Sequence, residues 1–214
     1  MNVLVIGANG QIGRQVVGLL KESREHHPRA MVRTDEQAEQ FRSEGAESIT
    51  ADLEGTVEQL TRAMVGVDAV VFTAGSGGKT GPDKTLLIDL DGAVKAMEAA
   101  EEVGVRRFVL VSALQAHHRE NWNEAIRPYY VAKHYADRAL EASSLDYTII
   151  RPGGLLNEPG TGLVSAAKNL ERGTIPREDV ARTIVAALDE AGTIHRSFDL
   201  VSGETPIEEA LCEL

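Results

Sequence analysis

Tyr129 and Lys133 stand four residues apart in the run Pro128-Tyr129-Tyr130-Val131-Ala132-Lys133. On a helix that spacing stacks both side chains on one face. A free phenol titrates near pH ~10, too high to trade protons at neutrality. A neighbouring ammonium favours the phenolate and brings it closer to use. Such a pair can hand a proton to a carbonyl oxygen as hydride arrives at the carbon, or take the proton back in the reverse direction. Tyr130, three residues before Lys133, competes for the role, and a packed tyrosine on a plain helix would carry the same letters.

A hydride donor needs a place to bind, and the first twenty residues offer one. Asn2 to Ile6 are mostly branched and apolar, as in a strand buried on both faces; the run breaks at Gly7, and Ile12, Val16, Val17, Leu19 and Leu20 then repeat at helical spacing. The glycines of the turn fall at Gly7, Gly10 and Gly13, a GxxGxxG spacing. Gly7 permits the sharp exit from the strand, Gly10 lets backbone approach a diphosphate, and Gly13 allows the helix to pack closely. Free N–H groups and the positive end of the helix dipole then hold the phosphates, so the unit reads as a dinucleotide site. About 20 residues past the turn, where an NAD-specific site carries an acid for the ribose hydroxyls, the residue is Arg33. A guanidinium pairs with a 2′-phosphate, which points to NADP rather than NAD; the alternative is that Arg33 is solvated and Asp35 takes the ribose. Lys133 would hold the nicotinamide ribose. Asp52 and Leu53, at the end of the third strand, would flank the adenine, unless Asp52 only caps the next turn. Ala74-Gly75 would let the cofactor's ribose lie against backbone.

These residues need a scaffold. Strands are expected at 2–6, 29–33, 48–51, 68–73 and 106–112, alternating with helices, among them Asp35 to Glu44 and a long one over Asp83 to Gly104 carrying Leu86, Leu87, Leu90, Val94, Met97 and Ala100. Alternation with right-handed crossovers predicts an α/β fold, a doubly wound parallel sheet flanked by helices. The long helix could pair with a twofold copy or serve as an internal core stripe. Gly78-Lys79-Thr80 imitates the end of a triphosphate-binding loop, but Thr73 stands where that pattern needs its first glycine, so Lys79 is expected in solvent or against a substrate. His26 and His27 lack metal-ligand spacing and read as a solvated turn, and no metal site is expected. A polar loop, 115–127, holds His117, His118 and Trp122. Pro176 opens a helix over Arg177 to Asp189, and Ser197 to Val201 is expected as the last strand.

The bounds agree. With 214 residues and 43% hydrophobic content, one domain over 1–214 can bury a sizeable core, with substrate-side elements mainly at 115–127 and 154–175. A formal net charge of −11 argues against nucleic acid or an anionic membrane as partner. The lone cysteine, Cys212, and the lack of any apolar run of spanning length suit a reducing, cytoplasmic setting. A small-molecule substrate and a monomer or homodimer are expected.

Together, Gly7-x-x-Gly10-x-x-Gly13, Tyr129-x-x-x-Lys133 and the segment Leu145 to Gly153 (LDYTIIRPG) resemble the atypical short-chain dehydrogenase/reductase superfamily. Within it the chain is most similar to the small NAD(P)H-binding group of biliverdin reductase B-like and NmrA-like proteins, related to NAD-dependent epimerases/dehydratases. The resemblance covers essentially the whole chain. It implies a Rossmann-type sheet, NADP in a phosphate-binding turn of Gly7, Asn9, Gly10, Gln11, Ile12 and Gly13, its 2′-phosphate on Arg33, and Pro152-Gly153 passing beside the nicotinamide. It implies an oxidoreductase for a small carbonyl or conjugated substrate; a non-enzymatic NADPH sensor and a sugar-nucleotide epimerase or dehydratase are the alternatives. One position departs: the catalytic serine of the family lies one or two residues beyond the fifth strand, where this chain has Ala113 and Leu114. Ser112 is present but could face the other way. Losing one such donor typically costs on the order of 10²–10³ in rate. His117 or His118 could substitute.

Overall fold

Residues 1–214 are described by a computed structural model. Alternate residues along its central strands go to opposite faces. Val3 and Val5 join one apolar cluster, Leu4 and Ile6 the other. A strand that must be apolar on both sides is the mark of a parallel sheet sandwiched between helices. In chain order the elements are β1 Asn2–Ile6, α1 Gln11–Glu22, β2 His27–Val32, α2 Asp35–Ser43, β3 Glu47–Thr50, α3 Val57–Met64, β4 Ala69–Phe72, α4 Pro82–Lys84, a π-wound segment Thr85–Gly92, α5 Ala93–Val103 and β5 Arg107–Val111. There follow α6 Arg127–Glu141, β6 Asp146–Pro152, β7 Gly154–Leu156, β8 Leu163–Ala167, β9 Thr174–Pro176, α7 Arg177–Asp189, β10 Arg196–Ser202, β11 Thr205–Pro206 and α8 Ile207–Cys212.

The main sheet runs β11-β8-β10-β6-β5-β4-β1-β2-β3, parallel from β3 through β10, with β8 and β11 added antiparallel at one edge. This is a Rossmann-like α/β fold. Helices α1, α2, α7 and α8 cover one face, and α3, α5 and α6 the other. Strand order reverses between β1 and β4, and at such a switch point the carboxyl ends of the strands part to leave a crevice. A second, two-stranded sheet pairs β7 with β9 beyond the end of β6.

Three expectations are corrected. The chain does not finish at the strand 197–201: β11 and α8 follow, and α8 buries Ile207, Ala210 and Leu211 against α7. His26 is not solvated; its ring is 3% exposed and Nε2 meets Asp189 Oδ2 at 3.0 Å, tying the α1–β2 turn to the end of α7. The helix over 83–104 exists but does not turn at 3.6 residues throughout. In its π-wound portion Leu86 and Leu87 are exposed, while Asp89 is buried.

Candidate functional site

The crevice at the β1/β4 switch point is a cleft of about 250 Å³. Of the residues assigned to a dinucleotide from sequence, Gly7, Asn9, Gly10, Arg33, Asp52, Leu53, Ala74 and Gly75 line it. Gly7 has φ +82°, and a Cβ there would sit 2.6 Å from the backbone nitrogen of Ala74, so β1 and β4 can meet at this point only through glycine. A Cβ on Gly13 would fall 2.3 Å from the Gly7 carbonyl oxygen. Gln11, Ile12 and Gly13 form the first turn of α1, whose N–H groups have no partner within the helix. No side chain caps that end and no acid occupies its first turn, whereas α2 and α3 are capped by Thr34 and Thr56. The cradle fits a diphosphate: bare amides, a positive helix end and no Cβ in the way.

Arg33 lies just past β2, exposed at the cleft, with its backbone N–H donated to Gln37 Oε1 at 3.1 Å. Asp35, its rival, does not line the cleft and accepts from Thr50 Oγ1 at 2.8 Å. Asp52 does line it, and also accepts from Glu54 N–H at 2.9 Å, so the turn-capping role is filled as well. Gln37 also lines the cleft, and its sequence signal is the capping-box spacing Thr34-x-x-Gln37.

Tyr129 and Lys133 sit on the face of α6 turned to the sheet. Lys133 is 4% exposed, donates to the Val111 carbonyl at 3.3 Å at the end of β5, and holds its Nζ 5.6 Å from the centre of the Tyr129 ring. Tyr130 stacks on Trp122 instead, with ring centroids 6.1 Å apart. Lys133 is not a free cation. Asp89 Oδ1 lies 3.2 Å from its Nζ, while Asp89 Oδ2 accepts from Ser76 N–H at 2.9 Å. Burial alone would drive the proton off Lys133; the Tyr129 oxygen, Asp89 and Asp137 more than reverse this and hold it above its ordinary value. The Tyr129 phenol departs from expectation. Burial pushes it up, Lys133 pulls it down, and the carboxylates of Asp89 and Asp137 and neighbouring Tyr130 push it up again, with a net rise.

Ser112 is 3% exposed, and its Oγ lies beside the Asp137 carboxyl, which burial pushes up despite the Arg151 guanidinium. Ala113 and Leu114 are both buried. Pro152 accepts from Leu114 N–H at 2.9 Å, and Gly153 packs so closely on the Gly173 carbonyl that a Cβ would come within 2.4 Å of it. These two stand at the end of β6, beside the segment that follows β5. His117 and His118 converge instead on Asn169 Oδ1, at 2.8 and 2.7 Å, and His117 Nδ1 lies 3.9 Å from the buried Asp199. They staple the segment after β5 to the loop after β8. Asp89, Asp137 and Arg151 are the site's charged residues that sequence reasoning missed.

The chain matches the NAD(P)H-binding family over residues 7–191. It is 63% identical over 214 residues to the Bacillus subtilis protein named uncharacterized sugar epimerase YhfK, covering 100% of both chains. A solved structure of the oxidoreductase ylbE from Lactococcus lactis superposes with a TM-score of 0.91 at 34% identity, covering 100% of this chain and 96% of that one. The Escherichia coli anaerobillin reductase ChuY shares the fold, with a TM-score of 0.81 at 24% identity over 94% of this chain and 97% of that one.

Proposed function

The chain belongs to the NAD(P)H-binding family, and on that premise we propose that it is an NADP-dependent oxidoreductase acting on a small carbonyl or conjugated substrate. The observation that carries the reading is Tyr129 and Lys133 on one face of α6, with Lys133 anchored to the Val111 carbonyl at the carboxyl edge of the sheet, where the glycine turn also opens. A reduced nicotinamide dinucleotide supplies hydride when bound. Tyr129 Oη gives its proton to the substrate oxygen and is reprotonated from solvent; Lys133 would hold the nicotinamide ribose. Arg33, an exposed cation at the cleft with no side-chain partner, supports NADP, as does the commitment of Asp35 to Thr50. A small-molecule substrate, a cytoplasmic setting and a monomer or homodimer complete the reading, in keeping with the net charge of −11.

Ala113 and Leu114 at the usual serine positions, with Ser112 beside Asp137, favour a second reading, an NADPH sensor without turnover. Epimerase chemistry, which the name of the Bacillus subtilis relative suggests, would give turnover without net NADPH consumption. A carbonyl panel with NADPH, run on wild type and Tyr129→Phe, separates them. A reductase loses about 10²–10⁴ in kcat on that change while keeping its dinucleotide affinity; a sensor shows no turnover in either protein.

A further inference from the structure

We infer that Asp89, buried in the π-wound segment beside Lys133, is a positioning residue that cancels the charge of Lys133, keeps Tyr129 in its proton-donating form and so sets the site for reduction rather than oxidation. The inference rests on the reading of Tyr129 and Lys133 as the proton-transfer pair.

Asp89 lies four and seven residues before Ala93 and Ala96, both 0% exposed, and so shares the inward stripe that α5 continues. Over the π-wound stretch Thr85–Gly92, Leu86 and Leu87 are 49% and 41% exposed while Asp89 is 1% exposed. Burying a carboxylate is costly unless it is paired. Asp89 is held on two sides: Oδ2 by Ser76 N–H at 2.9 Å, Oδ1 by Lys133 Nζ at 3.2 Å. Gly75 leaves room for it, since a Cβ there would come within 3.0 Å of Oδ1.

An isolated ammonium near a phenol favours the phenolate. Here a carboxylate sits nearer to that ammonium than the ring does, and the field of the pair at the ring is that of a dipole rather than of a charge. The other groups facing Tyr129 are Tyr130, which is neutral, and Asp137, which is paired with Arg151. No uncancelled cation remains to ionise the phenol. A protonated phenol is the form that reduction consumes, whereas alcohol oxidation needs the phenolate at the start.

The test is ultraviolet titration of tyrosinate absorbance in the full chain without added dinucleotide. Four tyrosines contribute, and subtraction of a Tyr129→Phe background isolates Tyr129. Asp89→Asn keeps the shape and the acceptor for Ser76 N–H but removes the charge. It is expected to lower the Tyr129 midpoint by about 1–2 pH units, the scale of one uncancelled charge at this range. An unchanged midpoint overturns the inference. Should D89N fail to fold, the double variant D89N/K133M, which leaves no unpaired charge at either position, decides. Its Tyr129 midpoint stays within about half a unit of wild type if the two charges cancel, and rises by about one unit or more if they do not. The titration needs neither cofactor nor substrate, so failure of NADPH binding and failure of this inference are read separately.

Discussion

Arg151 Nε donates to Asp137 Oδ2 at 2.7 Å, with both side chains 3% exposed, and so bolts the end of β6 to the same face of α6 that carries Lys133 one turn earlier. Removing one partner of such a pair leaves an uncompensated buried charge. Arg151→Met is expected to cost about 3–5 kcal/mol in urea unfolding. Adding Asp137→Asn should recover most of that loss, and a double variant no more stable than R151M would show that the pair is not what is lost.

Gly13→Ala places a methyl 2.3 Å from a backbone oxygen that no rotamer change can move. Helix α1 must shift away from the turn. We expect destabilisation of about 1–3 kcal/mol, the cost of overpacking, and dinucleotide affinity down at least about tenfold. Thermal denaturation and calorimetry on the same preparation check both; unaltered affinity would separate the glycine from the phosphate cradle.

Arg33→Ala should erase a preference for the phosphorylated cofactor while leaving NADH affinity where it was. Hydrogen bonds to a charged partner are worth about 1.5–3 kcal/mol, or about 10–150-fold in NADPH affinity. Parallel calorimetric titrations read the ratio, and an undiminished preference would place 2′-phosphate recognition elsewhere.

Glu101 accepts from the backbone N–H of Ser144 and from its hydroxyl, both at 2.8 Å, and these bonds hold its carboxyl below the ordinary value. A depressed folded-state value means stability present above the unfolded value of about 4.3 and lost as pH falls through the folded one. Glu101→Gln should therefore shrink the loss of stability between about pH 7 and about pH 3, by less than about 1 kcal/mol since the group is exposed. Urea midpoints at the two pH values measure it.

The parallel sheet was legible because its central strands are apolar on both faces and bounded by glycine. Val3 to Ile6 and Ala69 to Phe72 leave few other readings. The C-terminal edge was not: β7, β9 and β11 have three, three and two residues, and α8 six, too short for a period to show. The cleft side of the candidate site followed from glycine spacing and from position along the chain. Asp89 stayed hidden because the leucines of TLLIDLDG draw the eye to an apolar stripe, although spacings of four and seven residues to buried Ala93 and Ala96 put Asp89 on the inward face. The signal that was there is an acid inside an apolar run with no cation three or four residues away. Asp137 and Arg151 are joined only by the fold, fourteen residues apart on neighbouring elements.

Titration calorimetry of the wild-type protein with NADPH, with NADH in parallel, bears most directly on the whole account. It predicts saturable one-to-one uptake of NADPH, with NADH weaker by about tenfold or more. Absence of any uptake of either dinucleotide at millimolar concentration would contradict the account at its root.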